Sequence, residues 1–144
     1  MSVFASFGIS GSALTAQRIR MDVLAGNVAN SETTRTPDGG PYRRAEVVFA
    51  PIRAPQRLGS TKRPESPTTG VAVSQIIADA GEPKQVYDRG HPDADASGYV
   101  AYPNIDVVTE MTNLLSAVRS YEANVTVLNI TKATAQRALE IGRA

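Results

Sequence analysis

Two stretches of the chain repeat apolar residues at spacings of three and four, one at each end. In the last third, Val107, Met111, Leu114, Val118, Tyr121, Val125, Leu128, Lys132, Ala135, Leu139 and Gly142 form an a/d seam over five heptads. Lys132 is its one charged interruption. The period predicts a helix from about Asp106 to Ile141, on the order of 55 Å long. A thinner stripe runs through Phe4, Phe7, Gly11, Leu14, Arg18, Met21, Ala25 and Val28. It predicts a helix from about Phe4 to Asn30, on the order of 40 Å long. Gly8, Gly11 and Gly26 each weaken that helix by about 1 kcal/mol relative to Ala.

Proline separates the two patterns. All nine prolines lie between Pro37 and Pro103, and neither terminal stretch contains one. Proline breaks helix interiors, so the middle is non-helical. Asn104, just after Pro103, reads as the cap of the second helix, with Asp106 and Glu110 near its positive end.

The middle must bring the chain back to its start, which favours an antiparallel pair. The fold class expected is therefore mainly α with a small β or irregular middle. Residues 1–31 and 104–144 would form one discontinuous domain, the helices pairing as an antiparallel coiled coil. Residues 32–103 would hold turns, an extended loop and a β-hairpin. The hairpin is expected in "GVAVSQIIADAGEPKQV", Gly70 to Val86, which alternates around a Gly-containing turn. "AEVVFAPI", Ala45 to Ile52, offers a further short strand. "RAPQRLGSTKRPESPTT", Arg53 to Thr69, has only Leu58 as a large apolar residue and reads as the extended loop.

Two helices alone bury too little apolar area for independent stability. The longer helix also carries a second apolar set off its seam: Val108, Leu115, Val127 and Ile130. These positions imply burial against other subunits.

Composition removes several function classes. A formal net charge of +1 argues against a nucleic-acid or anionic-membrane footprint. No apolar run approaches the roughly 20 residues that span a bilayer. Cysteine is absent, so disulfides, thiolate metal sites and Cys nucleophiles are excluded. His91 is the single histidine, so a multi-His metal site within one chain is impossible. "MSVFASFGISGSALTAQ" lacks the basic and apolar regions of a secretory signal. No cofactor, metal or catalytic residue is expected.

Local motifs favour turns over chemistry. "RTPDGGPYRR" carries a Pro-Asp-Gly-Gly turn without the spacing of a phosphate loop, and Arg43 and Arg44 read as surface or interface arginines. "DADASG", Asp93 to Gly98, begins like a calcium loop, but its twelfth position is Asn104 rather than Glu, so it reads as a polar turn. His91 with Asp88, Asp93 or Asp95 reads as structural. Asn27 and Asn30 in "AGNVANSETT" read as helix-terminus residues, with hydrogen bonding between helices of an assembly as the functional alternative.

"SGSALTAQRIRMDVLAGNVANSETT" resembles the N-terminal signature of the bacterial flagellar rod and hook axial proteins. The residues that carry it are Leu14, Arg20–Met21–Asp22 and Ala29–Asn30–Ser31–Glu32–Thr33. "NLLSAVRSYEANVTVLNITKATAQRALEIGR" resembles the matching C-terminal signature. "TPDGGPYRRAEVVF" and "GHPDADASGYVAYPNIDVVTEM" resemble the proximal-rod members of that family. The likeness covers nearly the whole chain and is weakest from Ala54 to Thr69. "AGNVAN" departs from the family, which more often has a Ser-Ser-Asn-type sequence there.

The resemblance implies a structural, non-enzymatic subunit of the flagellar proximal rod. Subunits would polymerise into a tubular drive shaft that transmits torque and encloses the export channel. They would be exported through the type III apparatus without a cleaved signal and would assemble across the periplasm. Its implied partners are further copies, neighbouring proximal- and distal-rod subunits and the rod-base adaptor protein. The surrounding rings are a further candidate, and the export apparatus a partner during secretion. No nucleic acid and no membrane insertion is implied. The expected interface is the seam of both helices, with Ala29, Asn30 and Thr33 as the family motif. A soluble coiled-coil adaptor and a cell-wall-acting enzyme are the competing readings. The enzyme would need a positioned carboxylate pair in a cleft.

Overall fold

The computed structural model describes residues 3–53 and 68–142. Six elements follow in order: α1 (Val3–Ala29), β1 (Ala45–Arg53), β2 (Thr68–Ala78), β3 (Lys84–Tyr87), β4 (Tyr99–Tyr102) and α2 (Val107–Ile141). Nearly all of the extended loop expected between Arg53 and Thr69 lies outside the described residues.

The start of α2 differs from the expectation. Asp106, not Asn104, is the N-cap. Its backbone is extended, and its Oδ1 accepts the Val108 N–H at 3.2 Å. Thr109 Oγ1 donates to the other carboxylate oxygen. Asp106 immediately precedes the first helical residue, so its short side chain reaches the unpaired N–H groups that Asn104 is too far upstream to cap. Along α2, many hydroxyls bond back to the carbonyl four residues earlier, including Thr112 to Val108 and Thr134 to Ile130, both at 2.9 Å. These hydroxyls are thus satisfied within the helix.

α1 and α2 lie side by side. The last turns of α1 meet the first turn of α2 at Asn27 and Glu110, so the two helices run antiparallel. The contact face of α2 is rotated from the expected seam. Leu114, Tyr121, Leu128 and Ala135 belong to both, but the alternate positions are Glu110, Ala117, Asn124 and Thr131. Val118 and Val125 lie half-buried at the margin, whereas Val107, Met111, Lys132 and Leu139 are exposed. The reason is closeness. Ala117 is fully buried because a methyl group lets the backbones approach, where a larger apolar residue would hold them apart.

α1 covers two partners at once, since it also packs on the β1–β2 sheet. A single stripe therefore describes it poorly. Ser10, Ala16, Leu24 and Asn27 are buried. Phe7, Gly11, Leu14, Met21 and Val28 are half-buried. Arg18 and Ala25 are exposed, which corrects their placement on the buried stripe. Among the described residues, Arg18 has neither an ion pair with Glu122 nor a stacking contact with Tyr121. The side chain of Phe4 lies outside the described residues.

The strand pairing also departs from expectation. β1 and β2 pair antiparallel from Ala45 opposite Ala78 to Arg53 opposite Thr68, with irregularities after Val48 and Ile52. β3 and β4 form a second antiparallel pair, Lys84 opposite Tyr102 and Tyr87 opposite Tyr99. The single hairpin expected over Gly70–Val86 is therefore split. Its first half pairs back with β1 and its second half pairs forward with β4. A nine-residue partner strand, held against α1, outcompetes a short local hairpin interrupted by Pro83. The sheet approaches α1 at Gly70, where the Val71 N–H donates to Ser12 Oγ at 3.1 Å. A Cβ on Gly70 would sit 2.5 Å from that oxygen, so the contact requires glycine.

Candidate functional site

The end of α1, the start of β1 and the first turn of α2 converge on one buried side chain. Asn27 is fully buried. Its Nδ2 donates to Glu110 Oε2 at 2.9 Å and to the Ala45 carbonyl at 2.8 Å. Its Oδ1 accepts the Ala45 N–H at 2.9 Å and the Tyr42 hydroxyl at 3.1 Å. These four bonds use both amide protons and both lone pairs.

Glu110, 1% exposed, completes the joint. Its Oε1 accepts Arg44 Nε at 2.7 Å. Arg44 also reaches Glu46 at 3.4 Å. A buried carboxylate is tolerable only when paired and hydrogen-bonded, and Glu110 is both. The bond to Glu110 raises the Arg44 pKa still further. Burial, with a smaller contribution from the Glu110 charge, raises that of Tyr42. Glu46 lines the open groove between α1 and β1, and Arg44 pairs with both it and the buried Glu110. Glu110 spends both oxygens on structure.

The family-motif residues sit directly after Asn27. Asn30 Nδ2 donates to the Gly26 carbonyl at 2.9 Å and its Oδ1 accepts Thr33 Oγ1 at 3.2 Å. The Thr33 carbonyl accepts the Tyr42 N–H at 3.0 Å. Asn30 and Thr33 therefore close the helix and turn the chain back so that Tyr42, Arg44 and Ala45 reach the joint. Ala29 is exposed beside them. The Pro-Asp-Gly-Gly turn closes between Thr36 and Gly40 at 2.9 Å.

The loop before β4 is tied to this corner. Asp93 accepts Thr34 Oγ1 at 2.8 Å and lies 3.6 Å from Arg35. His91 Nδ1 accepts the Asp93 N–H at 3.1 Å. Asp95 Oδ1 accepts the Ser97 and Tyr99 N–H groups at 2.8 and 2.9 Å. The acids of "DADASG" thus brace a turn. Gly98 ends it at φ 84°, where a Cβ would come within 2.6 Å of Arg89. No cluster of metal-binding side chains occurs among the described residues, and no helix there is long and apolar enough to cross a membrane.

The face of α2 turned away from α1 is open and mixed, with large apolar residues towards both ends and Arg119 and Glu122 between them. Val108, Met111, Leu115, Val127 and Ile130 are exposed on that side, Leu115 and Ile130 at 60% each, and Leu139 is exposed beyond them on the seam side. The second apolar set expected from the sequence is thus exposed, with no cover among the described residues.

Residues 8–35 match the family model described as flagella basal body rod protein. Residues 96–141 match the C-terminal model of the FlgE, FlgF and FlgG flagellar basal body rod proteins. The chain is 46% identical to the flagellar basal-body rod protein FlgC of Escherichia coli, covering 99% of this chain and 100% of the relative. It is 46% identical to FlgC of Bacillus subtilis over the same shares, and 43% identical to that of Borreliella burgdorferi over 98% of both chains. The chain belongs to the FlgC family of flagellar basal-body rod proteins.

The two segments that match the rod models are those that meet at Asn27 and Glu110, while Arg44 lies between them. Asn27 was read from the sequence as a helix-terminus residue, with a bond between helices of an assembly as the alternative. The bond it makes joins the two helices of one chain. Tyr42 was not read; Arg44, read as a surface or interface arginine, is half-buried on Glu110, and Glu110, read only as an acid near the helix start, is buried in the joint. One signal for Glu110 is present: it stands seven residues before Ala117 on one face, one heptad upstream.

Proposed function

We propose that this FlgC-family chain is a structural subunit of the flagellar proximal rod, whose helices form an antiparallel coiled coil finished by its neighbours. Residues 1–31 and 104–144 form the helical unit that lines the tube, and residues 32–103 form its outer part. The assembled rod transmits torque and encloses the export channel. Subunits reach it unfolded through the type III apparatus and assemble across the periplasm with further copies, other rod subunits and the rod-base adaptor protein. The joint of Asn27, Glu110 and Arg44 fixes the angle between helix pair and sheet.

One observation carries this reading. The outer face of α2 leaves large apolar side chains exposed in two groups, Val108, Met111 and Leu115 near its start and Val127 and Ile130 further on. A surface of that kind marks an interaction site. A soluble adaptor with one closed partner would not need two separate exposed apolar groups on one helix.

The test is incorporation. Ile130→Glu alters an exposed position and leaves the inner seam untouched. The variant is expected to fold like the parent, to be made in cells and to be missing from purified basal bodies. Normal incorporation of Ile130→Glu, or absence of the unaltered chain from basal bodies, would contradict the proposal.

A further inference from the structure

The outward faces of α1 and α2 carry charge pairs of complementary order, whose spacings are within one residue of each other. Arg18 and Asp22 are exposed on α1, about 6 Å apart along the axis. Arg119 and Glu122 are exposed on α2, about 4.5 Å apart. None of the four has an ion-pair partner among the described residues. Along each helix the cation comes first and the anion second. Laid side by side in parallel, like charges would face each other. Laid antiparallel, Arg18 meets Glu122 and Asp22 meets Arg119.

The same alignment matches shape. Counting from those pairs, Ala25 falls opposite Leu115 and Ala29 opposite Met111, small residues against large ones, and all four are exposed. Within one chain the two faces point away from each other, because the inner contact uses Asn27 and Glu110 instead.

We propose that the outer face of α1 docks antiparallel on the outer face of α2 of a second copy of this chain, with Arg18 on Glu122 and Asp22 on Arg119. This rests on the reading of the chain as a rod subunit and names the faces that meet. The occupant is a second copy because this one chain carries both halves of the complement. The two faces differ, so the contact is head-to-tail and each copy keeps a free face for the next. That geometry builds a ring or a helical row rather than a closed dimer.

The chain has no cysteine, so an introduced pair reads out cleanly. Basal bodies carrying the Ala25→Cys, Leu115→Cys chain are oxidised and run without reductant. Disulfide-linked dimers and larger species are expected from the double variant, and no ladder from either single variant. Charge reversal supplies a second readout that leaves net charge unchanged. Arg18→Glu with Asp22→Arg is expected to lower incorporation at least about tenfold, since like charges then face each other. Arg119→Glu with Glu122→Arg should do the same, and all four substitutions together should restore it. A chain present in basal bodies that gives no ladder would overturn this inference and leave the rod reading standing. So would a fourfold variant no better than either double one. Absence of the unaltered chain from basal bodies would instead remove the rod reading itself.

Discussion

Where α1 ends and α2 begins, every polar group of Asn27 has a partner and the Glu110 carboxylate is held from both sides. Further along α2, from Val127 to Ile141, the hydrogen bonds of the hydroxyls stay within the helix, and Val127, Ile130, Leu139 and Ile141 face solvent. One end of the molecule is closed by its own chain. The other has the composition of an interface and no cover among the described residues. The difference teaches how an assembling subunit divides its stability. Directional bonds set the geometry of a corner that forms in the single chain, and non-directional apolar burial is left for assembly, where many copies satisfy it together.

The comparison breaks most sharply through the seam. Leu114→Asp and Leu128→Asp each place an unpaired charge on the half-buried face between the helices, at a cost of several kcal/mol. Both are expected to abolish motility with the protein still made. In the isolated chain Leu114→Asp should be the more damaging, because it lies one turn from the joint. Circular dichroism during urea unfolding measures this, and equal midpoints for the two variants would blur the contrast between the ends.

Next in size is the joint itself. Glu110→Ala leaves Asn27 and Arg44 without their shared acceptor, an expected loss of about 3 kcal/mol. Arg44 keeps some contact with water, so Arg44→Ala should cost less. A urea midpoint for Glu110→Ala within error of the parent would mean that the corner does not depend on the joint.

The smallest effect concerns the first turn of α2. The hydrogen bond from Thr109, with backbone bonds from Val108 and Thr109, holds the Asp106 carboxyl below the usual carboxylate range. A depressed pKa means the folded state favours the ionised form. The contribution is therefore fully present above the ordinary carboxylate pKa and is lost as pH falls through the depressed value. Asp106→Asn should remove this acid-side dependence and little else, as read from helix content against pH. An unchanged acid profile in Asp106→Asn would place the dependence elsewhere.

The elements were more legible in the sequence than their contacts. Proline distribution marks where helices cannot run, and α1 and α2 begin and end within a residue or two of expectation. The face was harder. Large apolar residues at a three–four spacing mark Leu114, Tyr121 and Leu128, but the alternate contact positions are Glu110, Ala117, Asn124 and Thr131, polar or small. Polarity alone cannot tell a satisfied buried Glu from a solvated one, because the difference lies in Arg44 and Asn27, far away in the chain. Strand partners were ambiguous for a similar reason. Alternation in "GVAVSQIIA" predicts a strand and is silent on whether β1 or β3 lies beside it. The exposed apolar set needed no partner to be read, since Val108, Leu115, Val127 and Ile130 fall off the seam at any register.

Amide exchange on the dilute, isolated chain tests the central contrast directly. Amides around the joint, in 20–30 and 107–118, should be the most protected of the helical ones, and those in 127–141 should exchange fast. In assembled basal bodies both sets should be slow. Strong, uniform protection of α2 through Ile141 in the isolated chain would contradict the account, because it would show that the far half of the helix is finished without neighbours.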